Sequence, residues 1–569
     1  MTTTAAPPEV AAPRVVRRQA SRLHLGALGL GVAALVPLAF LAVFFAWPVG
    51  TLIARGFVTD GALDLSGFAE VFARPRTQRI IGQTLLQATL GTTAAVLLGV
   101  PGAYVLYRVS FPGQRVVRAL VTVPFVLPTV VVGVAFRSLL AEGGPLGFLG
   151  LDGTLAAIVL ALVFFNYSVV VRTVGGMWAR LDPRATEAAA TLGASPARAF
   201  LTVTLPALTP AIASAASVVF LFCATAFGVV LILGGQRFGT IETEIWVQTT
   251  QFLDLRAAAV LSIAQLVVVA AALWVAGRAR SARERALQLR AAHTAPLRLR
   301  RDAVPAAVTG VVVLVLLVAP LANLAVRSFH TPAGWSLDNY RNLATTGGTN
   351  ALTVTVWEAL ANSLRIAVDA TVLAVVLGVL VAVVVSRRPR SPGARRAIAG
   401  LDAVFMLPLG VSAVTVGFGF LITLNRPPLD LRSSLVLIPI AQAIVALPLV
   451  VRTVMPVLRA IDPRQREAAA TLGAGPLRVF ATIDGPHLVR ALGLAVGFAF
   501  AISLGEFGAT AFLARPDRPT LPVVIFRLIG RPGAENLGMA LAACVILAVL
   551  TAVVMSLAER LRIDRTGEW

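Results

Sequence analysis

Apolar runs of about twenty residues recur twelve times along this chain, and the short stretches between them hold most of its charge. In the first half they cover 27–49, 81–107, 117–140, 155–178, 207–232 and 257–277. In the second they cover 304–326, 360–385, 398–424, 433–456, 488–514 and 537–558. At 1.5 Å of rise per residue, each run is long enough to cross a hydrocarbon layer of roughly 30 Å. The pattern predicts an all-α polytopic membrane protein with about 12 transmembrane helices. Pro101, Pro124, Pro128, Pro408 and Pro439 stand inside these runs, as membrane helices allow. Arg14, Arg17, Arg18 and Arg22 precede the first run, which is too long for a signal-peptide core and lacks a small-residue cleavage site.

The chain is written twice. Arg172-Thr173-Val174 returns as Arg452-Thr453-Val454, and Asp182-Pro183-Arg184 as Asp462-Pro463-Arg464. The octapeptide from Glu187 to Ala194 returns unchanged from Glu467 to Ala474. The same offset of 280 residues pairs Leu127-Pro128 with Leu407-Pro408, Pro206 with Pro486, Phe227-Gly228 with Phe507-Gly508, and Thr240 with Thr520. Six spans separate the copies. An even number gives both repeats one orientation, so two parallel six-helix halves are related by an axis along the membrane normal. The expected organisation is a disordered basic tail over 1–26, a first transmembrane domain over 27–277 and an Arg-rich cytoplasmic linker over 278–303. A second transmembrane domain over 304–560 and a short cytoplasmic tail over 561–569 complete it.

Composition agrees with the bilayer as solvent: 57% of residues are hydrophobic and 13% charged, where soluble domains carry about 25%. The net charge of +22 would suit a nucleic-acid binder. With the amino terminus in the cytoplasm, however, most arginines fall on cytoplasmic segments and the outer loops are nearly balanced. The positive-inside rule explains the charge without nucleic acid, and Arg278–Arg301 can lie against anionic headgroups. All 49 basic residues are arginine. Without lysine the chain can hold neither a P-loop nor a Schiff base, so nucleotide hydrolysis cannot rest on a P-loop of its own. Cys223 and Cys544 sit far apart in apolar runs, and the four histidines show no metal-binding spacing. No metal site is expected.

The duplicated octapeptide lies between the fourth and fifth spans of each half, on the Arg-rich side. Asp182 can cap a helix whose first turn accepts Pro183, residues 184–192 favour helix, and Gly193 can end it in a left-handed turn. Ser195-Pro196 starts a second helix, expected to stop before Pro206. Asp462, Pro463, Gly473 and Gly475-Pro476 repeat the plan, and the alanine triplets leave a low surface for close docking.

Glu187-Ala188-Ala189, then Gly193 and Leu205-Pro206, resembles the signature of permease subunits in ATP-binding-cassette importers (the type I transmembrane fold). The resemblance implies that Glu187, Ala188, Ala189, Gly193 and Pro206 form one ATPase-coupling loop and Glu467, Ala468, Ala469, Gly473 and Pro486 the other. It implies two copies of a separate ATPase on the cytoplasmic side, which hold the ATP and Mg, while this non-enzymatic chain binds no cofactor. It also implies an extracytoplasmic solute-binding protein meeting the outer loops 233–256 and 513–536, and residence in a bacterial inner membrane with both termini cytoplasmic. The second copy departs at Asp484-Gly485-Pro486, which suggests ATPase contacts of unequal strength.

Nearly the whole chain resembles the fused permeases of thiamine and ferric-iron importers, and Val163–Asn166, Leu233–Gly235, Thr240–Ile245, Asn362–Ile366, Ser503–Gly508 and Thr520–Pro522 are most similar to the thiamine type. Thiamine or its phosphate is the first expectation and ferric iron the second. Polyamine, phosphonate and molybdate or sulfate permeases stay open, and the alternative of another class is a secondary transporter driven by an ion gradient. Glu506 is a costly carboxylate within an apolar run, so it either lines the translocation path or bonds between helices. Asn166 and Gln265 carry the same two readings. Trp246, Trp335 and Trp357 are expected at the outer interface.

Overall fold

A computed structural model describes residues 31–563 apart from 60, 236, 282–294, 297–298, 388–390 and 428. The proposed tail over 1–26 and most of the linker over 278–303 lie outside the described residues. Among those described, nine unbroken helices are long and apolar enough to cross a membrane. They are Gly31–Phe57, Pro75–Tyr107, Leu155–Trp178, Pro196–Ala224, Leu255–Val275, Asp302–Ser328, Val356–Val385, Leu437–Ala460 and Ala534–Arg560. Three bent pairs, each counted as one span, bring the number to twelve. The chain is a multi-pass helical membrane protein.

Several apolar runs that read as single spans are broken. Gln114–Phe125 and Thr129–Leu140 meet at 105°, and their mates Pro392–Gly410 and Ala413–Thr423 at 92°. Pro128 stands in the first break, where it has no N–H to give and biases the residue before it away from helix, while its mate Pro408 lies in the tight turn Leu407–Gly410 just ahead of the second. The runs over 207–232 and 488–514 also break. The helix Leu205–Ala224 gives way to the short helix Gly228–Leu233, and Gly485–Gly505 gives way to Thr510–Leu513. The segments beyond these breaks are not open loops. Each holds a short buried helix, Ile241–Thr250 in the first half and Leu521–Ile529 in the second. Their first N–H groups are held by the second span of their own half, Ile241 N–H donating to Thr84 Oγ1 at 3.0 Å and Leu521 N–H to Ser363 Oγ at 2.7 Å.

Pro206 does not end a helix as expected. The helix from Pro196 to Ala224 runs through it by way of a wide π turn, Phe200–Thr204, and the second half repeats this at Phe480–Asp484. A wide turn ahead of the proline makes room for its ring and removes the need for its missing N–H.

The two halves are interlocked. Leu41 and Phe45 of the first span pack in a core with Leu377, Val381 and Phe420 of the second half. In return Val312, Val313, Leu316 and Leu317 of the seventh span pack among first-half residues such as Ala88, Leu162 and Val219. Within the second half, a Cβ added at Gly417 would come within 2.7 Å of the Ala509 Cα, so this glycine permits a close backbone approach after the second break.

Candidate functional site

The repeated loops fold alike. Asp182 Oδ1 accepts the Arg184 N–H at 3.1 Å, and Asp462 Oδ1 the Arg464 N–H at 2.9 Å. Helices Arg184–Thr191 and Pro463–Thr471 follow. Each ends on a glycine in the left-handed region, Gly193 at φ +83° and Gly473 at φ +88°. The next N–H groups close the same cap in both: Ala194 donates to Ala189 O and Ala474 to Ala469 O, each at 3.0 Å. Glu187, Ala188, Glu467 and Ala468 are exposed, Ala189 and Ala469 half-buried, and Pro206 and Pro486 exposed near the start of the following spans. Leu192 and Leu472 are each 89% exposed, the most conspicuous apolar groups on either loop.

What holds the loops differs. In the first half Trp178 stacks on Phe200 with centroids 5.9 Å apart and meets Tyr104 at 5.3 Å, while Thr186 and Thr204 hydroxyls stand 3.5 Å apart. In the second, the Thr186 and Thr204 positions are Arg466 and Asp484. Asp484 is 1% exposed and takes Arg466 Nε at 2.7 Å and an Arg387 terminal nitrogen at 3.1 Å. Arg466 reaches on to the Leu458 carbonyl at 3.1 Å, tying the loop helix to the span before it. The two loops thus share a backbone and differ in their anchors.

The second constellation is at the centre. Phe227 and Phe507 stack with centroids 5.4 Å apart and planes 25° from parallel. Trp246 and Phe526 meet edge to face at 5.9 Å, and Phe507 and Phe526 lie 5.4 Å apart with planes tilted by 54°. Phe227 and Phe507 are 280 residues apart, and so are Trp246 and Phe526. Residues related by a twofold axis can touch each other only beside that axis, so these rings close the middle of the molecule. Trp246 is accordingly not an interfacial marker; it is half-buried against its own repeat mate, whereas Trp335 and Trp357 are exposed.

The three polar residues singled out within the spans gather at the two helix breaks. Asn166 Nδ2 donates to Leu162 O at 2.8 Å and to Cys223 Sγ at 3.5 Å. Gln265 Nε2 donates to Ala224 O at 3.2 Å. Both therefore face the end of Leu205–Ala224. Glu506 stands at the equivalent end in the second half, where its oxygens accept the Ala509 N–H at 2.7 Å, the Thr510 N–H at 3.0 Å and the Thr510 hydroxyl. It caps the restart of the chain after the break.

Two carboxylates escaped the sequence reading. Glu242 and Glu244, 0% and 2% exposed, sit on the short helix Ile241–Thr250. Glu244 pairs bidentately with Arg76 at 2.8 and 2.9 Å and takes Gln248 at 2.7 Å. Glu242 accepts from Ser412 Oγ of the other half at 2.8 Å. The available signal was Thr240 and Thr243, which form a capping box and mark a helix start in what reads as an outer loop.

Fold and repeat together define a twofold membrane permease, and comparison with known proteins bears this out. Residues 91–283 match the family described as binding-protein-dependent transport system inner membrane component. That match lies within the first half and its linker, and the 280-residue repeat relates the second half to it. Together the family match and the full-length relatives support a fused permease subunit of the ATP-binding-cassette importer type. It is 26% identical to the Brucella abortus thiamine transport system permease protein ThiP over 504 residues, 86% of this chain and 88% of the relative. Against the Escherichia coli ThiP it is 28% identical over 458 residues, 79% of this chain and 82% of the relative. A putative 2-aminoethylphosphonate permease of Salmonella choleraesuis, PhnV, is 28% identical over 268 residues, 46% of this chain and 93% of its own.

Proposed function

We propose that this chain imports thiamine or a thiamine phosphate, handed over by an extracytoplasmic binding protein and driven by two copies of a separate ATPase. The observation that carries the ATPase assignment is the pair of Glu-Ala-Ala helices, which share the octapeptide and the glycine cap that ends it, one in each parallel half. Glu187, Ala188, Ala189, Gly193 and Pro206 make one docking loop, and Glu467, Ala468, Ala469, Gly473 and Pro486 the other. A twofold ATPase dimer needs two equivalent docking points, and one chain with parallel repeats supplies both. Since the positive-inside rule puts the Arg-rich loops in the cytoplasm, the same assignment puts both termini there. The substrate rests on the thiamine permeases, which match over most of both chains. Ferric iron is the second choice.

The translocation path follows the pseudo-twofold axis. It is closed by Phe227, Phe507, Trp246 and Phe526, with Asn166 and Gln265 beside it at the first helix break. Glu506 serves it indirectly, by shaping the second break. The test is uptake of labelled thiamine into vesicles holding the permease, its ATPase and its binding protein. Uptake requires ATP and the binding protein and survives collapse of the proton gradient. Uptake that follows the proton gradient without ATP would make the chain a secondary transporter instead.

A further inference from the structure

Three carboxylates lie buried around the central rings, and their hydrogen bonding separates them. Glu244 is paired with Arg76 and Gln248, and both oxygens of Glu506 are taken by N–H and O–H donors. Glu242 has one donor, Ser412 Oγ, on Oε2; its Oε1 is buried with no partner. The Gln265 amide lies beside it as a weak second hydrogen-bonding neighbour, and Gln265 Oε1 is also buried without a partner. Glu242 Oε1 and Gln265 Oε1 are thus two buried acceptors without a donor at full hydrogen-bond geometry. Leaving such groups unmet is costly, and more so for a charge.

The repeat supplies an internal control. Thr520-Leu521-Pro522 starts the equivalent helix in the second half, with proline where Glu242 stands and valine (Val524) where Glu244 stands. The fold therefore builds this helix without a carboxylate, and Glu242 is not there to shape the turn. One helical turn on, Trp246 joins Phe526 and Phe507 in the ring stack on the axis, and its buried Nε1 has no acceptor. A carboxylate with a spare oxygen next to a run of aromatic faces is the pairing that recognises organic cations: the acid balances the charge and the rings attract it.

We propose that Glu242, with Gln265 and Ser412 and the faces of Trp246, Phe526 and Phe507, is a recognition point for an organic cation on the translocation path. This rests on the thiamine reading, since thiamine carries a fixed positive charge on a planar heteroaromatic ring. The cation takes the vacant side of Glu242 as the rings part, and Gln265 Oε1 accepts from its amino group. The spare acceptors are then satisfied only while solute passes, which favours an occupied opening over an empty one.

The experiment measures thiamine uptake by the complete transporter in proteoliposomes for wild type, E242Q and E242Q/Q265E. Glutamine keeps the Ser412 bond and the side-chain size, so the thermal midpoint of E242Q should match wild type. Its maximal uptake should fall at least tenfold with little change in KM, which the binding protein sets. Moving the carboxylate to position 265 in E242Q/Q265E should restore a third or more of the lost rate. Wild-type uptake by E242Q, or loss without rescue in the double variant, overturns the proposal and leaves the thiamine reading standing. A wild-type transporter that takes up no thiamine overturns the substrate reading, and this proposal with it.

Discussion

Arg in place of Ala189 or Ala469 is expected to leave the permease inserted and folded but to stop ATP-driven uptake. Both alanines are half-buried on short helices whose outer faces are otherwise bare, so the backbone tolerates the change while a docked partner does not. A bulky charge pressed into a close-fitting contact weakens it by roughly 2–4 kcal/mol, about thirtyfold or more in affinity. Gly193→Pro reaches the same end through the backbone. Gly193 sits at φ +83°, whereas proline is locked near −65°, so the cap made with Ala189 and Ala190 cannot form and the loop changes shape. The readout is uptake alongside ATP hydrolysis by the reconstituted complex. Hydrolysis continuing without transport is the expected outcome, and normal uptake in these variants would remove the coupling role.

Asp484→Ala is the second large effect, and it should be confined to one half. Asp484 is almost fully buried and neutralises Arg466 and Arg387 together. Removing it leaves two guanidiniums crowded and unpaired, a loss of roughly 3–5 kcal/mol for a buried pair. Arg387 is 29% exposed at its side chain, so water recovers part of this and the lower end is expected. Local opening of the second loop should rise by about a hundredfold, seen as faster tryptic cleavage at Arg464 and Arg466. At the equivalent place in the first half, Thr204→Ala gives up only one long hydroxyl contact with Thr186. It should cost about 1 kcal/mol or less. Equal sensitivity of the two loops would contradict the difference in anchoring.

The parts of this molecule that local chemistry decides were legible in its sequence. Asp182 and Asp462 before prolines, Gly193 and Gly473 after the alanine helices, and the 280-residue repeat all predicted what the structure contains. Apolar runs located the spans but not their continuity, because an apolar segment stays in the bilayer whether or not its helix is unbroken. That is why the 105° and 92° bends, and the breaks after Ala224 and Gly505, were hidden. Pro206 misled in the other direction, since a π turn upstream absorbed it. Glu242 and Glu244 were invisible for a tertiary reason. Their burial is set by Ser412 and Arg76, 170 and 168 residues away, and by a short helix that polar residues disguise as a loop.

The most direct measurement places single cysteines at Ala189 and Ala469 and follows their cross-linking to the ATPase. Native Cys223 and Cys544 are buried, so the introduced thiols are the reactive ones. Both positions should cross-link to the ATPase, and the yield at each should change when ATP is bound and again when it is hydrolysed. Absence of cross-linking at both positions, in a complex that still imports its solute, would contradict the account.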